Sequence, residues 1–304
     1  MQDIIVIGSG VAGMTAALYA LRNGKKVLII EGNSIGGQIA NSPRVENYPS
    51  IESISGETLG SNMFEQITNL GVEFEFDTIE DIKKEGNGFK VVGEYGEYEA
   101  KSVIVANGVK HRHLKLNKED EFIGKGVYYC ALCDGPFYKG KEVTVIGDGN
   151  TALQYALMLS DICSKVNLVI MFDKFFGDEN LVKAVEKREN INIIKNSKTV
   201  ELIGDTELEK VKFEKQNGET FLLNAPLFVA IGQVPNNEKF KHLANLDEYG
   251  FFDSAEDCKT KTDGLFVAGD TRKKAVRQVA TAICDGAVAG TNAVNYLNSL
   301  AGED

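Results

Sequence analysis

Cys130 and Cys133 stand two residues apart in "GVYYCALCDGPFY" (126–138), and Asp134 follows at once. A C-x-x-C pair serves either as half of a zinc knuckle or as a redox dithiol. Structural zinc takes four ligands. The chain has no second C-x-x-C, and His111, His113 and His242 show no ligand spacing, so no metal site is expected. As a dithiol, two sulfurs this close can shut a small disulfide ring. One thiol of such a pair typically has a lowered pKa, which keeps a thiolate ready for exchange. Cys163, Cys258 and Cys284 stand alone and read as ordinary core or surface residues. A dithiol needs a source of electrons, and the rest of the chain has to bind it.

The N-terminal segment "DIIVIGSGVAGMTAALYALRNGKKVLIIEGN" is the best candidate for a cofactor site. An apolar run, Ile4–Ile7, leads into Gly8-Ser9-Gly10-Val11-Ala12-Gly13; a helical pattern follows, then a second apolar run, Val27–Ile30, ending in Glu31. This is the strand, glycine loop, helix and strand of dinucleotide binding. Gly8 permits the tight turn. Gly10 lets the backbone approach a pyrophosphate held at the helix N-terminus, and Gly13 lets helix and strand pack closely. Glu31 lies where a carboxylate can accept both ribose hydroxyls.

The pattern returns 139 residues later in "EVTVIGDGNTALQYALMLSDICSKVNLVIMFDKFF". Gly147, Gly149 and Ala152 take the places of Gly8, Gly10 and Gly13, so a second nucleotide-binding-type domain is expected. Glu31, however, maps to Ile170, which cannot accept ribose hydroxyls. NADP needs cations on its 2′-phosphate, but the next residues, Met171 to Phe176, offer one lysine among aromatics and an aspartate. Asp148 adds a negative charge inside the glycine loop. Either NAD(P)H binds here by other contacts, or the domain keeps the fold of a nicotinamide site and no longer binds one.

The chain has 304 residues, enough for two ordinary domains, with 43% hydrophobic and 25% charged residues. No apolar run reaches the ~18 residues of a membrane span. The N-terminus lacks the features of a signal peptide, so a cytoplasmic location is expected. The net charge of −11 argues against a nucleic-acid scaffold.

Together these features resemble the low-molecular-weight thioredoxin reductases. The similarity runs over nearly the whole chain: the first glycine loop, "GGQIANSPRVENYP" (36–49), "ANGVK" (106–110), "CALCDG" (130–135), the second glycine loop, "AIGQVPN" (230–236) and "GLFVAGDTRKKAVRQVATA" (264–282). The resemblance implies an α/β fold with two Rossmann-like, three-layer ββα nucleotide-binding-type domains, the class II fold of pyridine nucleotide-disulfide oxidoreductases. It implies FAD, held by Gly8, Gly10, Ala12, Gly13, Glu31, Gly36, Gly37, Gln38, Asn47, Gly108, Gly269, Asp270, Arg277, Gln278 and Val279. The Gly269-Asp270 pair would meet the ribityl and pyrophosphate, and Arg277-Gln278 the isoalloxazine. Cys133 would face the flavin and form the charge-transfer thiolate, Cys130 would attack the thioredoxin disulfide, and Asp134 would manage the proton. A homodimer is implied as well.

Members using NADPH carry a His-Arg-Arg run after the second unit and another arginine soon after. Here Ile170-Met171-Phe172 and Phe176 stand at those positions. The chain therefore looks like the ferredoxin-dependent branch, resembling clostridial forms, with an NAD(P)H-linked disulfide reductase as the alternative. Ferredoxins are usually acidic, so a locally basic docking surface is expected; "TRKKAVRQ" (271–278) and "VKHRHLKL" (109–116) are the candidates. The expected domains are a discontinuous FAD-binding domain (1–112 with 244–304), containing a β-rich insert over about 72–105, and a central domain (113–243) carrying the cysteines.

Overall fold

The computed structural model describes residues 1–42 and 45–302. Pro43 and Arg44 of the "GGQIANSPRVENYP" motif, and Glu303 and Asp304 at the C-terminus, lie outside the described residues. The chain forms two compact units, Met1–Lys110 with Val234–Asp304, and His111–Gln233.

In the first unit the elements run β1 (Gln2–Ile7), α1 (Val11–Arg22), β2 (Val27–Glu31), α2 (Gly56–Thr68), β3 (Glu73–Phe76), β4 (Ile79–Glu85), β5 (Gly88–Gly93) and β6 (Glu97–Val105). A short strand, β7 (Val109–His111), spans the first crossing into the second unit. That unit contains α3 (Glu119–Phe122), β8 (Val127–Tyr128), α4 (Ala131–Asp134), β9 (Glu142–Ile146), α5 (Asn150–Ile162), β10 (Lys165–Val169), α6 (Glu179–Glu186), β11 (Ile191–Ile194), β12 (Ser197–Gly204), β13 (Leu208–Lys215), β14 (Thr220–Asn224) and β15 (Leu227–Val229). After β16 (Gln233–Pro235) the first unit resumes with β17 (Leu265–Val267) and α7 (Val279–Ala301).

Each unit is a sheet covered on both faces. In the first, β3, β2, β1, β6 and β17 pair in parallel, and β5 and β4 continue the sheet antiparallel. Strands buried on both faces read as continuous apolar runs, which is why "IIVI" and "VLII" carry no alternation. The pleat still sorts them. Ile4, Val6, Val27, Ile29 and Ile104 pack toward α1, α2 and α7. Ile5, Ile7, Leu28, Ile30, Val103 and Val105 pack toward the β4–β5 hairpin. The second unit repeats this. Val143, Val145, Val166 and Leu168 face α5, and Ile146, Val169, Leu227 and Val229 face the β12–β13–β14 sheet. Both units are therefore three-layer ββα Rossmann-like folds.

Two expected boundaries shift. The return crossing falls at 233–234 rather than 243–244. Phe240, Leu243 and Ala244 are buried in the first unit's core beside Phe252, and the Asn237 amide donates to the carbonyls of Gly250 (3.0 Å) and Thr271 (3.1 Å). Nor is the β-rich stretch over 72–105 wholly an insert, because β3 and β6 are integral parallel strands and only β4 and β5 lie outside the parallel pairing.

The glycines act as expected at two places. Gly8 has φ +105°, its N–H donates to Ile30 O at 2.8 Å, and a methyl there would lie 2.5 Å from Ala106 O. Gly13 backs onto the same turn, where a methyl would lie 1.9 Å from Gly8 O. In the second unit Gly147 has φ +136° and an added methyl would come within 2.2 Å of Ala230 O. Over-packing of this kind costs about 1–3 kcal/mol. Gly13→Ala should therefore lower the unfolding free energy from denaturant melts by an amount in that range, whereas Gly149→Ala, whose methyl meets nothing within 4 Å, should fall within about 0.5 kcal/mol of the parent.

Candidate active site

The second unit carries the sulfurs. Cys130 and Cys133 are joined as a disulfide, with Cα atoms 5.3 Å apart. β8 delivers the chain to Cys130, which caps α4, and the Cys133 N–H donates to Cys130 Sγ at 3.1 Å. Ala131 is fully buried while Leu132 is exposed, so the short helix presents one face outward between the cysteines. The flank before Cys130 is fixed by side chains. The Tyr129 hydroxyl donates to Glu119 Oε1, the Tyr155 hydroxyl donates to Tyr129 O at 3.1 Å, and His111 stacks on the Tyr129 ring at 4.9 Å. Glu119 is itself buried and also accepts the N–H groups of Leu114 and Lys115, each at 2.8 Å.

Asp134 closes α4. It is 7% exposed, its Oδ1 has no partner among the described residues, and burial pushes its carboxyl up to about 7. A carboxyl that changes state near neutrality beside a dithiol suits proton transfer to and from sulfur. Of the remaining cysteines, Cys163 and Cys258 are buried, and burial pushes the Cys258 thiol up to about 12, while Cys284 is exposed.

The first unit gathers the expected cofactor residues at the carboxyl ends of its parallel strands. Glu31, 8% exposed, accepts from Ser9 N (2.6 Å) and Ser9 Oγ (2.8 Å) through Oε2 and from Asn33 N (2.9 Å) through Oε1. Gly36 N donates to Ser9 O at 3.1 Å, and a methyl on Gly37 would lie 3.1 Å from Gly10 Cα, so the "GGQ" turn abuts the glycine loop. Gln38 donates to Val109 O, and the Asn47 amide donates to Gln278 Oε1 at 3.0 Å. Gly269 has φ +81° and approaches Ala12 so closely that a methyl would lie 2.8 Å from its Cβ. Arg277 donates to Asp270 O at 3.2 Å and lies over the Phe251 ring at 4.1 Å. Gln278 caps α7 at Val279 in a capping box with Thr281.

These residues fit the FAD that the family resemblance implies. Gly10 and Gly108 open onto free space, where an added methyl meets nothing within 4 Å. Asp270 Oδ1 is buried with no partner among the described residues, and burial raises its carboxyl while Lys274 and Arg277 pull it back down. Buried polar atoms are normally satisfied, so an unpartnered acceptor at this position suits a hydroxyl-bearing ligand.

One sequence expectation needs correction. "TRKKAVRQ" is not a free basic strip. Arg272 is 5% exposed and pairs with Asp285 Oδ1 at 2.7 Å, and Lys274 pairs with Asp285 Oδ2 at 2.6 Å. Arg277 is engaged as described, and Lys273, the exposed member, lies 3.6 Å from Asp253. Asp285 escaped the sequence reading although it left a signal, being the only charged residue between Val279 and Ala301. Ser9 was missed as the partner of Glu31.

The second glycine loop lacks the equivalent pairing. Val143 stands opposite Val166 as Ile4 does opposite Val27, so the registers superpose and Ile170 falls where Glu31 does. Ile170 is fully buried in the helix-side core, and Asp148 takes the place of Ser9. Met171, Phe172 and Phe176 are exposed, with the two phenyl rings edge to face at 5.2 Å. The loop also leans on the glycine turn: Phe176 N donates to Asp148 O at 2.8 Å, and Asn150 exchanges hydrogen bonds with Asp178.

Because the folded protein favours the neutral Asp134 carboxyl, its contribution to stability should fall between pH ~4, where the unfolded chain ionises, and pH about 7, and stay flat above. Asp134→Asn removes this dependence. The oxidised variant should gain on the parent as pH rises through that window, by up to on the order of 4 kcal/mol, measured by denaturant melts at pH 4 and pH 8.

Comparison with known proteins agrees with this architecture. The sequence profile of the pyridine nucleotide-disulphide oxidoreductases matches residues 2–286. The chain is 38% identical over 301 residues to the thioredoxin reductase of Borreliella burgdorferi, covering 98% of this chain and 92% of that one. It is 36% identical over 298 residues to a Clostridium pasteurianum chain described as a protein in the rubredoxin operon, covering 97% of each. Among solved structures, the thioredoxin reductase of Streptococcus pyogenes superposes with a TM-score of 0.94 at 35% identity, covering 98% of this chain and 99% of that one. With a glycine-loop unit carrying a paired acid, a duplicate unit bearing a C-x-x-C disulfide, and relatives matched from end to end, the chain belongs to the low-molecular-weight thioredoxin reductase family of flavoprotein disulfide oxidoreductases.

Proposed function

We propose that the chain is an FAD-dependent thioredoxin reductase that takes its electrons from reduced ferredoxin, not from NAD(P)H. The observation that carries the choice of donor is the fate of one position. The carboxylate that Ser9 orients in the first unit becomes buried Ile170 in the second, with Asp148 in place of Ser9 and exposed Met171, Phe172 and Phe176 where a 2′-phosphate would need cations. A dianionic phosphate offered the exposed Lys174 alone, with no arginine fork, loses its strongest recognition.

In this reading the glycine loop, Glu31 and the Gly269-Asp270 turn hold FAD. The bound cofactor supplies the junction between single-electron donors and two-electron disulfide reduction. The chain's own chemistry is thiol exchange. The Cys130 thiolate attacks one sulfur of the thioredoxin disulfide and displaces the other as a thiolate. Cys133 then attacks Cys130 Sγ, which releases the second thioredoxin sulfur and restores the Cys130–Cys133 disulfide. Two electrons and two protons have then passed to thioredoxin, and Asp134 is the group that holds and moves a proton beside the sulfurs. For donor docking, the 109–116 segment offers exposed Arg112 and Lys115. An NAD(P)H-linked reductase is the competing reading, favoured by the free space above Gly149.

The test is anaerobic. Reduced ferredoxin, NADH and NADPH are added in turn to the FAD-loaded protein, and visible flavin absorbance is followed. Ferredoxin alone should bleach it, and comparably fast bleaching by NADPH would sink the donor assignment. Cys130→Ser should still accept electrons from ferredoxin and yet fail to reduce thioredoxin. Charge reversal at Arg112 and Lys115 together should slow ferredoxin-driven bleaching at low salt by about ten-fold or more, with no effect on exchange between the reduced dithiol and thioredoxin.

A further inference from the structure

The Gly269–Arg277 turn contains the residues expected to meet the cofactor, but its shape is set from outside. Asp285 lies in the second turn of α7 and is nearly buried. Its carboxylate is fully engaged. Oδ2 accepts the Gly269 N–H at 3.0 Å and the Lys274 ammonium at 2.6 Å, and Oδ1 faces Arg272 Nη1 at 2.7 Å. One side chain thus grips the start of the turn by its backbone and two later positions by their charges.

The grip extends further. Arg272 spends its remaining donors on Ser254 Oγ (2.8 Å), Ser254 O (3.1 Å) and Ala255 O, which ties the turn to the segment before β17. Arg277 donates to Arg272 O at 3.2 Å and to Asp270 O at 3.2 Å, which closes the turn on itself. Asp270 is the exception. It follows Gly269 directly, and its buried Oδ1 has no partner among the described residues. Gly269 is left-handed and abuts Ala12 of the glycine loop, so the orientation of the Ala268–Gly269 peptide decides where Asp270 points. That peptide's N–H is the group Asp285 holds.

We propose that Asp285 is a positioning residue for the cofactor: by holding Gly269 N–H, Arg272 and Lys274 together, it keeps the Asp270 carboxyl aimed at bound FAD. Buried charges demand partners, so the cations drawn to Asp285 fix the loop rather than a docking surface. The proposal rests on the FAD reading above.

The holoprotein is stripped of flavin and retitrated with FAD, following quenching of flavin fluorescence, and visible circular dichroism of the reloaded flavin reports its setting. Asp285→Ala should raise the Kd for FAD by about ten-fold or more and alter the visible dichroism. Asp285→Asn, which keeps an acceptor for Gly269 N–H without the charge, should fall between Ala and the parent. If Asp285→Ala does not fold, the paired variant Lys274→Met/Asp285→Ala, which removes one charge of each sign, undergoes the same measurements. Lys274→Met alone should show a smaller shift in the same direction. Folded variants with a Kd within about two-fold of the parent and unchanged dichroism would overturn the proposal. Failure of the parent apoprotein to take up FAD would instead remove the cofactor reading on which it stands.

Discussion

Everything functional in this chain depends on a backbone contact too close for a side chain. At the carboxyl end of β1, Gly8 passes within a methyl's reach of Ala106 O, while Gly13 presses α1 against the same turn. Such contacts force the helix to start just where the strand stops, so its first N–H groups point at whatever lies beyond the sheet. The chain after β2, β6 and β17 meets the glycine loop too, through Glu31 on Ser9, Ala106 and Asn107 on Gly8, and Gly269 on Ala12. The second unit obeys the same constraint through Gly147 and Ala230. The scaffold is thus written twice, and what differs is the set of side chains mounted on it.

The differences are electrostatic. In the first unit a serine orients an acid, and Asp285 gathers two cations into a knot behind the Gly269–Arg277 turn. The second unit exchanges that acid for an aliphatic residue and spends its polar chemistry on a different feature, the short helix bearing the disulfide. There, burial controls the proton inventory. Asp134, whose Oδ1 has no partner among the described residues, is pushed up to about 7 by burial, whereas Tyr129, engaged by burial and by Glu119, is pushed far above its ordinary range. The same desolvation that leaves Asp134 responsive makes Tyr129 inert, because a phenol's charged form is also penalised by burial.

Much of this was readable in advance. The two glycine loops gave the duplicate units, since Gly8, Gly13 and Gly147 each answer a steric demand that a side chain would not meet. The apolar runs marked parallel strands, and the cysteine spacing marked the disulfide. Charge was harder to read. Four cations in "TRKKAVRQ" resembled a docking strip because a linear sequence does not reveal that α7 carries an acid back against them. The crossing at 233–234 was misjudged because Phe240 and Leu243 find their core only after the chain has returned. Local spacing reports steric rules well, and pairings formed over long sequence separations poorly.

Burial of Ile170 has a bearing on how this molecule could change over generations. A glutamate introduced there would enter an aliphatic core and sit where the serine that would orient it has become Asp148. Neither substitution helps without the other: the acid alone meets like charge and loses solvation, and a serine at 148 alone has nothing to orient. The route toward gripping an adenosine ribose therefore needs both changes, and the order that avoids a buried acid facing like charge puts the serine first, where it gains nothing.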